Sequence, residues 1–134
     1  MIDLEFDIFD TVAKGLRTAH SGLLVVSDFA AAPAKFPVVT LVEADNRILN
    51  RMRTNTIENA VSVMYEANIY SNKPSGKKTE AKAIANTLDG IFDGLGFTRT
   101  FRQQIPNMND ATIYRIVCRY EAVIDKNLVI YHSE

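Results

Sequence analysis

From Ala60 to Tyr70 the chain alternates strictly: Val61, Val63, Tyr65, Ala67 and Ile69 share one side, and Ser62, Glu66 and Asn68 the other, with Met64 among them. A period of two dictates a strand with one dry face and one mostly wet face. Ala111 to Ile124 repeats the pattern, setting Tyr114, Ile116, Cys118, Tyr120, Ala122 and Ile124 opposite Arg115, Arg119 and Glu121. Fourteen extended residues would span about 46 Å, well beyond the usual strand of about six. This strand is therefore expected to bend or to project as part of a ribbon. Strands with a single apolar face need a second layer to cover it.

Two segments can supply that layer. Asp3 to His20 repeats Phe6, Phe9, Ala13 and Leu16 at helical spacing, with Ile2, Ile8 and Val12 flanking the stripe. Asp3 is the expected N-cap and Gly22 the stop. Lys77 to Asp93 carries Ala81, Ile84, Ala85, Leu88, Ile91 and Phe92 at the same spacing, with Ser75 as candidate cap and Gly94 and Gly96 ending it. Shorter strands are expected at Leu23–Ser27, at Phe36–Glu43 and at Leu128–Tyr131. Pro37 marks Phe36–Glu43 as an edge strand or as a strand beginning. Phe97, Phe101 and Ile105, alternating with Thr98, Thr100 and Arg102, make a further half-buried strand, with a turn at Pro106–Asp110 leading into the Ala111 strand.

The predicted order is α-β-β-loop-β-α-β-β-β. The fold class is α+β: one domain over residues 1–134, a two-layer sandwich whose mixed, mostly antiparallel sheet carries two helices on one face.

Composition narrows the function. The 15 basic and 16 acidic residues leave a net charge of −1, without the basic excess that nucleic acid calls for. Cys118 is the single cysteine, so no intrachain disulfide forms, and a reducing compartment fits. Asp3, Glu5, Asp7 and Asp10 stand where a signal peptide would be basic and then apolar, and no apolar run approaches the ~20 residues of a membrane span. The expectation is synthesis in the cytosol, with no membrane partner.

The residues of chemistry do not converge. His20 falls at a helix end and His132 near the C-terminus, both read as surface side chains, and with one cysteine they make no zinc spacing. Cys118 lies on an apolar face and reads as a small buried hydrophobe. Gly76-Lys77-Lys78-Thr79 is not a phosphate loop: Ser71 stands where the first glycine is needed and Lys78 where Ser or Thr is needed. Gly94-Leu95-Gly96 follows a helix and precedes a strand, the reverse of the dinucleotide-binding order. The acids at positions 3 to 10 read as the solvated face and dipole complement of the first helix. No catalytic, cofactor or metal residue is assigned.

Between Asp45 and Asn59 the periodicity fails and a long loop is expected. It holds Arg47, Arg51 and Arg53, interleaved with Ile48, Leu49 and Met52. Two readings fit: a solvated connector, or a docking loop, since Arg and Met are enriched at interface cores. Arg47, Arg51, Met52 and Arg53 are the candidate partner-docking residues. Met52, Met64, Met108, Ile113 and Val117 lie off the best apolar face of their elements and are candidates for a contact surface or for packing under loops.

The order of elements resembles a known family. The strand Phe36-Pro-Val-Val-Thr-Leu-Val-Glu, the arginine-bearing loop and the strand Asn59-Ala-Val-Ser-Val-Met-Tyr-Glu-Ala-Asn-Ile-Tyr-Ser-Asn come first. The helix opening Lys77-Lys-Thr-Glu-Ala, the break Gly94-Leu-Gly-Phe-Thr-Arg and the strand Ala111-Thr-Ile-Tyr-Arg-Ile-Val-Cys-Arg-Tyr-Glu-Ala-Val-Ile follow. Together, over about two-thirds of the chain, they resemble the tail terminator (tail completion or head–tail joining) proteins of long-tailed bacteriophages and prophages. The resemblance implies a small α+β subunit of a homo-oligomeric ring, commonly a hexamer, that caps the tail tube and faces the head connector protein. It implies a structural virion protein assembled in the bacterial host cytoplasm, without enzymatic activity or cofactor. Alternatives are another neck or minor capsid protein, or a small ligand-binding α+β domain.

Overall fold

The computed structural model describes residues 4–27, 36–48, 60–106, 112–125 and 129–132. Its elements run α1 (Glu5–Ala19), β1 (Leu24–Val26), β2 (Val38–Ile48), β3 (Ala60–Ser71), α2 (Lys77–Gly94), β4 (Thr98–Gln104), β5 (Tyr114–Asp125) and β6 (Ile130–His132). The fold is the expected α+β one, with both helices on one face of a mixed sheet.

β3 and β5 form the middle of that sheet. They pair antiparallel along their whole lengths, from Ala60↔Asp125 to Ser71↔Tyr114, so β5 runs inside the sheet and does not project as a ribbon. The strand order is β1-β2-β3-β5-β4, with β6 also pairing with β5. β1 lies parallel to the start of β2, and the other pairs are antiparallel. Because β2 starts between β1 and β3, Pro37 marks a strand beginning rather than an edge.

The core lies between sheet and helices. Val39 and Leu41 of β2, the odd-numbered residues Val61 to Ile69 of β3 and the even-numbered Ile116 to Ile124 of β5 meet Ala81, Ile84, Ala85, Leu88 and Phe92 of α2. At its centre Phe92 stacks on Tyr120 with ring centroids 4.3 Å apart, and Phe97 meets Phe92 and Tyr65 edge-on at 5.1 and 5.6 Å. α2 ends as its glycines predict. Gly96 takes φ +94°, its N–H reaches Asp93 O at 3.0 Å, and the Phe97 N–H reaches Phe92 O at 2.9 Å. That is a Schellman ending, with the usual apolar contact made here by Phe97 on Phe92. No side-chain cap bond opens α2; its N-cap is Gly76, not Ser75.

Several local expectations are corrected. The buried line of α1 is Ile8, Val12, Ala13 and Leu16, with Phe9 half-buried, while Phe6 is 80% exposed. Residues 8, 12 and 16 already form an i, i+4 row that fills the face toward the sheet, and Phe6 falls outside it. Leu4 stands at the N-cap without a side-chain bond, and Asp3 lies outside the described residues.

The strand β2 continues through Asp45 to Ile48, where a loop was expected. A bulge between Glu43 and Asp45 adds a residue to the strand and breaks the alternation that periodicity reads. A second bulge, between Arg99 and Phe101, puts Phe101 opposite Arg119, on the sheet face away from Phe97.

The second face of β3 is not wet. Ser62, Asn68 and Tyr70 are buried on it, Asn68 and Tyr70 beside Val38, Thr40 and Val117, and Met64 and Glu66 are half-buried. Asn68 tolerates burial because Arg115 forks onto its Oδ1 at 2.9 and 2.6 Å.

Candidate interaction surface

Arg47 is exposed and sits in β2, opposite Ser62, so it belongs to a ladder and not to a loop. Arg51, Met52 and Arg53 lie outside the described residues. Of the apolar residues set aside for contacts, Val117 is buried within the sheet, Met64 and Ile113 are half-buried, and Met52 and Met108 lie outside the described residues.

Several titratable groups are tied into the fold. Both carboxylate oxygens of Asp89 on α2 are engaged. Oδ1 accepts from the buried Tyr120 hydroxyl, while Oδ2 faces Arg99 Nη1 at 2.5 Å and Arg102 Nη1 at 3.3 Å. Arg102 Nη1 also reaches Asn86 Oδ1 at 2.9 Å. Burial, then the neighbouring Cys118 and the bond to Asp89, hold the Tyr120 phenol protonated far above its ordinary range. Burial likewise raises the Cys118 thiol, against a smaller opposing effect of Tyr120. A buried thiol held protonated is a poor nucleophile, in keeping with its packing role. His20 Nε2 lies 2.8 Å from Thr87 Oγ1 and links α1 to α2. Among the described residues, no three His, Cys, Asp or Glu side chains gather as a metal shell.

What the fold builds instead is a sheet with two differently furnished sides. β3 and β5 are the two central strands. On one side, β1 runs beside only Val38–Thr40 of the longer β2. Above that side, α1 and the sheet enclose a groove of about 280 Å³ lined by Glu5, Phe6, Phe9, Asp10, Ser27, Leu41 and Tyr65. On the other side β4 ends the strand path. Its sequence, TRTFRQQ, holds two arginines and no acid.

The face away from the helices carries a polar ladder. Asn68, held by Arg115, donates to Glu66 Oε2 at 3.4 Å, and Glu66 Oε1 meets Arg119 Nε at 3.0 Å. The Arg119 guanidinium lies over the Phe101 ring at 4.9 Å and that of Arg115 over Tyr70 at 5.7 Å. Thr40 Oγ1, opposite Asn68, is buried without a hydrogen-bond partner among the described residues.

Sequence reasoning missed the groove because Leu41 and Tyr65 come to α1 from distant strands. The available signal was Phe6 standing outside the row at 8, 12 and 16. No protein-family model matches the sequence, and no curated protein matches it.

Proposed function

We propose that this chain is a structural virion protein that forms a ring at the end of a phage tail tube, terminating the tail and joining it to the head. Its partners are copies of itself, six being the expected number, the tail tube protein and the head connector protein. The ring assembles in the bacterial host cytoplasm, and the reading assigns the chain no reaction, cofactor or membrane.

The sequence resemblance motivates this reading, and the α+β fold agrees with what it implies. The observation that carries it is the pair of unlike sheet sides: β4 at one limit, and the short β1 beside the long β2 at the other. A ring is built from heterologous contacts, in which one side of each subunit meets a different side of the next. Two standard faces of about 800 Å² each would cover about a fifth of the 7709 Å² surface, so both sides would be committed. Exposed Arg47, with Arg51, Met52 and Arg53 after it in sequence, is then the contact toward tube or connector.

The experiment adds the purified protein to tail tubes assembled without a terminator and counts tube ends by electron microscopy. Closed rings on the ends are the expected result. Bare ends, with protein that stays monomeric at every concentration, would overturn the reading.

A further inference from the structure

We propose that the groove between α1 and β2 is the socket for the Arg99 side of β4 on a second copy of this chain; the inference rests on the ring reading and names the contact that builds the ring.

Position is the first argument. Leu41 and Tyr65 line the groove. Across the sheet, Tyr65 pairs with Tyr120, which pairs with Arg99; Leu41 leads through Ala67 and Cys118 to Arg102. Groove and arginine pair therefore sit on the same two rungs, the groove over β2 and β3 beside α1 and the arginines on β4, where the strand path ends. Both are on the helix face, since Arg99 and Arg102 meet Asp89 of α2. A second copy displaced sideways along those rungs brings its arginines to the groove without a shift along the strands.

Chemistry is the second. The groove is aromatic and acidic: Phe6 is 80% exposed, Phe9 is half-buried, and Glu5 and Asp10 line it, with Asp7 exposed on the same first turns of α1. Asp10 has no ion-pair partner among the described residues, and Lys14, one turn on, forms no bridge to it. Arg99, its side chain 44% exposed, spends Nη1 on Asp89. A guanidinium has five donors, so several remain for a carboxylate, and its plane stacks on an aromatic ring. An Asp10 carboxylate beside an exposed phenyl ring is a receptor for that group. Each copy has one socket and one plug, as a closed head-to-tail assembly requires.

Sedimentation velocity over a concentration series, with electron microscopy of the products, tests this on the full chain. Asp10→Arg and Arg99→Glu should each weaken self-association about tenfold or more. Mixing the two variants should restore association, because the intact Arg99 of one fits the intact groove of the other. Arg99→Gln, which puts no new charge beside Asp89, serves where Arg99→Glu fails to fold, and Phe6→Ser should weaken association at unchanged circular dichroism. If the wild type forms rings and all four variants do so equally well, this contact is wrong while the ring reading stands. If Asp10→Arg and Phe6→Ser lower the melting temperature but leave assembly intact, the groove is filled by the chain's own residues and the inference fails. A wild type that never associates, alone or on tubes, removes the ring reading and the inference together.

Discussion

Replacing Asp89 with alanine tests whether the core is sealed by one carboxylate. Tyr120 is 1% exposed, and its hydroxyl donates to Asp89 Oδ1. Stranding a buried hydroxyl costs about 1–3 kcal/mol. The paired arginines add little, because the Arg99 and Arg102 side chains are 44% and 21% exposed and solvent screens such pairs to about 0–1 kcal/mol. The expected loss for Asp89→Ala is thus about 1–4 kcal/mol. Tyr120→Phe removes the donor instead, so in the Asp89→Ala background it should cost almost nothing or even stabilise. A double-mutant cycle by urea unfolding at neutral pH should return a coupling of about 1–2 kcal/mol. The effect of Tyr120→Phe on Cys118 is common to both backgrounds and cancels. If the two changes add to within about 0.3 kcal/mol, the bond contributes nothing net and the reasoning is refuted.

Three further outcomes are expected. Thr40→Val exchanges a buried hydroxyl that has no partner among the described residues for a methyl group of similar size and should stabilise by about 1 kcal/mol in urea unfolding; a loss would mean the hydroxyl is bonded. Gly96→Ala sets a Cβ at φ +94° and 3.2 Å from Ile130 Cγ2, and should lower stability by about 1–3 kcal/mol, with Gly90→Ala, where a Cβ meets nothing within 4 Å, as the mild control. Folding raises Cys118 above its ordinary 9.0 and Tyr120 above 10.0, so above those values the unfolded chain holds fewer protons than the folded one. Stability should therefore be full below about pH 8.5 and fall as pH rises, approaching about 1.4 kcal/mol per pH unit for each group. Cys118→Ala should remove the earlier part of that fall; a flat profile through about pH 11 would contradict both shifts.

The elements that declared themselves in sequence are those whose pattern is unbroken. β3 and β5 keep a period of two across Val61–Ile69 and Ile116–Ile124, and α2 keeps its stripe from Ala81 to Phe92, because each packs one continuous face on the same core. The failures sit where an extra residue or a distant partner intervenes. A bulge after Glu43 hid the last turn of alternation in β2, and one after Arg99 moved Phe101 to the other sheet face. The face of β3 expected to be mostly wet is largely buried around Asn68, because Thr40 and Val117 flank it and Arg115 satisfies it, while Met64 and Glu66 stay half-buried. Strand order is a long-range fact, so the groove, built from α1, β2 and β3, left no local trace.

The two bulges bear on how copies would meet in the proposed ring. They stand on one rung: Glu43 pairs with Tyr65, Tyr65 with Tyr120, and Tyr120 with Arg99, so β2 and β4 depart from regular pairing at the same height on opposite sides. An outer strand with a flat, regular backbone invites any other strand to pair with it, and bulges and charged side chains prevent this. Here both devices coincide with the level of the groove and of the arginine pair. A contact made there depends less on a continuous ladder of backbone hydrogen bonds than on what the side chains present: an exposed phenyl ring and carboxylates on one side, guanidinium groups on the other. Such a contact is selective, because a stray strand lacks the matching charges. It should also weaken with salt, as contacts between partly exposed charges do. Ring formation that proved indifferent to ionic strength would argue for backbone pairing at these sides and against recognition by side chains.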